Sequence, residues 1–251
     1  MPTHESEALA QASPRGAFVT THWSVVLAAK DRDSPDCAQA LETLCRTYWY
    51  SLYAFVRGSG YSPHDAEDLT QGFFARLLAK DYLRVVDQEK GRFRTFLKMA
   101  IKRFLVHEWD RVRAEKRGGG QAFLSLDTQM AEQRFQAERV DSLEPDQVYD
   151  RRWAFTLLGE ATARLEREYR AVGKAAELEQ LKPYLTSERG GIPYAEIAIA
   201  LQSSEAAARV AVHRLRKRFR ELFRQLIAET VSKSEEVEEE LRYVINVLSR
   251  G

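Results

Sequence analysis

The sequence predicts an all-α protein of two helical domains joined by a flexible linker, the second domain containing a helix-turn-helix. Three observations carry that expectation. Apolar residues recur at helical spacing along almost the whole chain, strictly alternating stretches rich in β-branched residues are missing, and a glycine run at Gly118, Gly119 and Gly120 interrupts the pattern near its middle. A chain of 251 residues suits one large domain or two small ones. Hydrophobic residues make up 44%, enough for genuine cores.

Residues 1–17 are expected to be disordered, and a first helical domain to occupy residues 18–117. Its first helix follows Thr20 and Thr21, either of which can cap it, and carries Trp23, Val26 and Leu27. A longer helix from about Ser34 to Arg57 carries Leu41, Leu44, Tyr48, Leu52 and Phe55 and stops at Gly58, Ser59 and Gly60. The next, "SPHDAEDLTQGFFARLLAKDYL", marks its own start. Ser62 can cap, Pro63 fits the first helical position, and Asp65, Glu67 and Asp68 suit the positive end of the helix dipole. A fourth helix runs from about Arg92 to Lys116.

Residues 118–146 show weak periodicity and several acids, which reads as an extended linker. A second helical domain, 147–230, begins near Pro145 with "DRRWAFTLLGEATARLEREY" and continues through "ELEQLKPYL" to "YAEIAIALQSSEAAARVAVHRLRKR". Residues 231–251 form a C-terminal helical extension whose Val237, Leu241, Val244 and Leu248 make one apolar stripe. That stripe suits packing on the second domain, and a regulatory partner surface is the other reading.

Catalysis and cofactor chemistry find no support. The five histidines (His4, His22, His64, His107, His213) stand in no metal-ligand spacing. His64 comes nearest, beside Glu67 and Asp68, but acids in a first helical turn already have a physical reason to be there. The glycine run lacks the Lys-Ser/Thr ending of a phosphate loop, and no nucleophile, base and orienting group assemble. The expectation is a non-enzyme with no catalytic residues, no metal and no cofactor. Cys37 and Cys45 lie eight apart on one helix, where a rigid rod keeps them separate; they read as reduced thiols of a cytoplasmic protein. No apolar run approaches the roughly 18 residues of a membrane span, and no signal peptide is visible.

Total charge is uninformative, with 38 Lys and Arg against 37 Asp and Glu, but its distribution is not. In 194–218 a short helix ends at Gln202 and Ser203, and Ser204 can cap the helix that follows. In that second helix Ala208, Val212, Leu215, Phe219 and Leu222 define the buried stripe. Arg209, His213, Arg216 and Arg220 lie on one exposed flank, and Arg214 and Arg218 on the other. Seven Lys or Arg stand against one acid between Arg209 and Arg224. A solvated face on a long helix explains such charge, but a short helix, tight turn and capped basic helix also match the plan that sets a helix in the DNA major groove.

A second basic stretch, residues 90–117, holds ten Lys or Arg against three acids, interleaved with Phe93, Phe96, Phe104 and Trp109. Phe96 and Phe104, eight apart, read as core. Phe93 and Trp109 fit a core or a stacking role equally, since cations beside aromatics are what single-stranded nucleic acid needs.

With both motifs in order, the chain resembles an extracytoplasmic-function (ECF-type) sigma factor of bacterial RNA polymerase across roughly residues 20–225. "DAEDLTQGFFARLL" resembles the segment that docks on the clamp helices of the polymerase's largest subunit, "GRFRTFLKMAIKRFLVHEWDRVR" the segment that melts and captures the minus-ten element, and "AVHRLRKRFREL" part of the domain reading the minus-thirty-five element. The resemblance implies a region-2-like domain at 18–117 and a region-4-like domain at 147–230. It implies core RNA polymerase and promoter DNA as partners, leaves room for an anti-sigma or other regulatory protein, and involves no membrane.

Residue by residue, it assigns polymerase contacts to Asp65, Asp68 and Gln71, with Leu69, Phe73 and Leu77 mainly core. Minus-ten, single-strand contacts fall to Arg92, Phe93, Arg94, Lys98, Lys102, Arg103 and Trp109. In the minus-thirty-five reader, Ser204 caps, Glu205, Arg209 and His213 meet base edges, and Arg214, Arg216 and Arg218 hold phosphates. The sequence departs from the family at Arg103 and His107, where Asn and Asp are common. Asp127, Glu132, Asp141 and Glu144 suit either a strand-mimicking path or an ordinary solvated linker. The alternative function is a stand-alone helix-turn-helix regulator binding duplex operators.

Overall fold

The computed structural model describes residues 23–31, 33–79, 81–114, 128–137, 143–186 and 191–249. Every regular element among them is helical: α1 (Trp23–Lys30), α2 (Cys37–Gly58), α3 (Pro63–Ala79), α4 (Phe93–Ala114), α5 (Thr128–Ala137), α6 (Pro145–Ala171), α7 (Ala175–Leu181), α8 (Tyr194–Ala200), α9 (Glu205–Thr230) and α10 (Val237–Ser249). None of these is long and apolar enough to cross a membrane. The expectations for residues 1–17, for Thr20 and Thr21, for the glycine run and for Asp127 and Asp141 fall outside the described residues.

Local chemistry sets the helix boundaries. Gly60 takes φ +94°, a left-handed conformation that glycine adopts without a Cβ penalty, and its N–H closes on the Arg57 carbonyl at 3.0 Å, ending α2. Ser62 Oγ accepts the Asp65 N–H at 3.1 Å and opens α3. Glu144 and Gln147 form a reciprocal capping box ahead of α6, with Pro145 at the first helical position.

The expected linker is partly helical. In α5, Glu132 accepts two hydrogen bonds from the Arg57 guanidinium at 2.9 Å and a third from Tyr53 Oη at 2.6 Å. Arg57 also lies 5.0 Å from the Phe135 ring centroid. Weak periodicity hid this helix because α2, more than 70 residues away in sequence, holds it in place. Glu132 is thus a structural anchor to α2. Its bonds from Arg57 hold its carboxyl far below the usual range, at about 2, with Tyr53 and Gln136 adding to the effect and burial opposing it.

Two apolar cores lie along the molecule. The first combines α1 to α5 with the first half of α6 (Tyr149, Trp153, Ala154, Leu157), the last turns of α9 (Phe223, Leu226, Ile227) and α10 (Val237, Val244). The second joins Leu165 of α6, α7, α8 and the front of α9 (Ala208, Val212, Leu215, Leu222). α6 and α9 run through both, and Phe219 packs against each.

Candidate nucleic-acid interface

α8 and α9 are joined by residues 201–204. The Leu201 N–H bonds to the Ile197 carbonyl at 2.9 Å, and Gln202 takes φ +50°, which reverses the chain. Ser204 Oγ then accepts the Ala207 N–H at 3.2 Å, so the sequence-expected cap starts α9. Ala208, Val212, Leu215 and Leu222 point into the second core. Glu205, Arg209 and His213 recur every four residues along one solvent-exposed flank of that stripe.

Arg209 is 61% exposed yet held in place: its guanidinium lies 4.3 Å from the Tyr194 ring centroid and 3.8 Å from Glu205. Arg214 is exposed as well. The other two expected phosphate contacts are engaged within the chain. Arg216 Nε donates to the Tyr184 carbonyl at 2.7 Å, and Arg218 grips Glu168 at 2.6 and 2.8 Å with Glu221 at 3.1 Å. The Arg218 bonds pull the Glu168 carboxyl below its ordinary pKa despite partial burial. Arg220, on the flank of Arg209, is exposed.

On α3, Asp65 and Asp68 are exposed and Gln71 is half-buried on the same side, while Phe73 and Leu77 face the core. Asp68 pairs with His64 at 3.2 Å, Asp65 accepts from Ser62 Oγ at 2.6 Å, and Gln71 donates to Glu67 at 3.1 Å. His64 thus serves as the partner of a helical neighbour.

The basic stretch of α4 differs most from expectation. Phe93, a candidate stacking residue, is 3% exposed. It meets Trp23 and Tyr48 edge-on, at ring-centroid distances of 6.3 and 5.5 Å, and stacks on Phe96 at 5.9 Å. It belongs to the core in this conformation. Trp109 lies in α4, with its side chain outside the described residues.

Arg94 is only 5% exposed and shares a buried network with α6 and α10. Its Nε and Nη2 donate to the two Glu240 carboxylate oxygens at 3.0 and 3.3 Å, and its Nη1 donates to Asp150 at 3.1 Å. The guanidinium sits between the rings of Trp153 and Tyr243, 4.6 and 4.5 Å from their centroids. Burial works against its charge, but the Glu240 and Asp150 carboxylates outweigh it, and the guanidinium pKa is raised.

The neighbouring cations share the arrangement. Arg92 pairs with Glu240 at 2.8 Å, Lys98 with Asp150 at 2.8 Å and Lys102 with Asp146 at 2.7 Å. Tyr243 donates to Asp150 at 2.7 Å, and burial together with that bond pushes its hydroxyl up to about 12. Four of the five basic residues expected to hold a DNA strand therefore face carboxylates of this same chain.

Arg103, the fifth, is exposed. It lies on a cleft between α3 and α4 lined by Phe73, Tyr82, Phe96, Met99 and His107. Met99 is 46% exposed there. Sequence reasoning set Phe96 aside as core and gave Met99 and Tyr82 no role. The exposed apolar Met99 one turn from Arg103 was the available signal. An apolar, aromatic-walled recess with a cationic rim can take an unstacked base.

No protein-family model, curated protein or solved structure matches the chain.

Proposed function

We propose that this protein is an ECF-type sigma factor, a non-catalytic adaptor that binds core RNA polymerase in the bacterial cytoplasm, directs it to specific promoters and assists DNA melting. The observation that carries this reading is the capped α8–α9 hairpin, whose second helix buries one stripe and leaves Glu205, Arg209, His213 and Arg214 on exposed faces. In the proposal the hairpin is the helix-turn-helix of a second DNA-binding unit, reading the minus-thirty-five element. Base edges go to Glu205, Arg209 and His213, and phosphates to Arg214.

Two further features support a sigma factor. The α3–α4 cleft joins the exposed guanidinium of Arg103 and the imidazole of His107 to the apolar walls of Phe96 and Met99, the chemistry that holds a base drawn from an opened strand. The exposed carboxylates of Asp65 and Asp68 crown α3 on the face away from its core residues Phe73 and Leu77, a surface suited to a basic partner helix on the polymerase.

The test is complex formation with purified core polymerase. The full chain is expected to co-elute with the core enzyme, and Asp65→Ala with Asp68→Ala to weaken that complex without changing the helical content. Absence of any complex overturns the reading. The internal pairing of the α4 cations favours one alternative, a stand-alone regulator that binds duplex operators through α9. Tight binding to a palindrome without polymerase, together with no polymerase complex, is the result that selects it.

A further inference from the structure

Glu240 has no exposed surface, although it lies in the first turn of α10 within an acidic run, Glu238, Glu239 and Glu240. Acids in a first turn are ordinarily favoured by the helix dipole and remain solvated. Glu240 instead binds Arg94 through both oxygens and Arg92 at 2.8 Å, and Glu239 stands 3.7 Å from Arg92. Buried ion pairs add little to stability over an apolar packing of the same volume, so stability alone gives no reason for charge here.

The covering elements are not held equally. α6 buries Tyr149, Trp153, Ala154, Leu157 and Ala161 in the first core and cannot lift without exposing two large aromatics. α10 buries Val237 and Val244, while Leu241, Tyr243, Val247 and Leu248 are half-buried and Ile245 is exposed. α6 is the fixed wall that keeps Lys98 and Lys102 on Asp146 and Asp150. α10 is the weaker element, and it holds Arg92 and two of the three carboxylate hydrogen bonds of Arg94. Beside its N-terminal end lies an open groove lined by Arg92, Phe93, Thr95, Phe96, Met99 and Glu239. That groove shares Phe96 and Met99 with the α3–α4 cleft.

We propose that α10 is an autoinhibitory cover in which the Glu239 and Glu240 carboxylates occupy Arg92 and Arg94 in place of DNA phosphates, so that an opened strand must displace α10 to extend from the α3–α4 cleft onto the start of α4. This rests on the proposed single-strand role of α4. The cover lowers apparent strand affinity by the fraction of molecules that are open. Carboxylate and phosphate compete for the same two guanidiniums.

The test uses the full chain and a fluorescent mixed-sequence single-stranded 12-mer, followed by anisotropy at fixed low salt. Glu240→Gln weakens the cover, and Val244→Asp dislodges it while leaving every charged residue of the ion network unsubstituted. Each is expected to tighten binding by at least about tenfold, and adding Arg92→Ala to either variant to remove most of that gain. In the wild type, the amides of 237–249 are expected to exchange faster with hydrogen once the oligonucleotide is bound. Unchanged affinity in both variants, with α10 amides equally protected in the complex, overturns the cover. If no variant binds the strand and the chain also forms no polymerase complex, the sigma-factor reading and the cover fail together. If the polymerase complex forms while α10 stays protected, only the cover fails.

Discussion

Arg209 is positioned before any ligand arrives, with Tyr194 under its guanidinium and Glu205 one turn back. A pre-placed fork loses less conformational freedom on binding, which suits base recognition. Arg209→Ala is expected to relax preference at one base pair, at a cost of about 1–3 kcal/mol, measured by binding to a panel of single-base promoter variants. A uniform loss across the panel makes it a phosphate contact. Glu132 shows how far one residue can reach across the chain. Its carboxyl sits at about 2 in the folded protein against an ordinary 4.5, so the unfolded chain takes up its proton first as pH falls. The stability it contributes is therefore complete above about pH 4.5 and lost progressively toward pH 2. Urea midpoints of the wild type and Glu132→Gln are expected to differ at pH 7 and to converge near pH 2.

At the scale of single elements, legibility followed whether the determining chemistry was local. Ser62, Pro145 and Ser204 start their helices as the sequence indicates, because a cap acts within three residues of itself. Ser204→Ala is expected to lower stability by about 1 kcal/mol, read as a shift in denaturant midpoint with unchanged slope. The apolar stripe of α9 was equally plain, since 3.6-residue periodicity fixes one face. α5 was not, since Arg57 and Tyr53 supply its hold from α2. Phe93 was ambiguous for a different reason. An aromatic beside cations looks the same in sequence whether it faces a base or Trp23 and Tyr48, and only packing separates the two. The α4 cations were legible as a charged face, while their partners Asp146, Asp150 and Glu240 lie 44 to 146 residues away.

Across the whole molecule, the all-helical class was readable from periodicity, but the way the cores are shared was not. α6 and α9 each run from the first core into the second, so the stretches on either side of residues 118–146 contribute to one apolar cluster. The ion network of Arg94, Asp150 and Glu240 lies where those stretches meet. In the proposed function, such a meeting point can keep the start of α4 closed until an opened strand displaces α10. The most direct measurement is transcription by core polymerase on genomic fragments, with and without the purified full chain. The account predicts transcripts from discrete start sites that appear only when the chain is present and fade with Arg209→Ala. A transcript pattern identical with and without the protein, on every fragment, would contradict it.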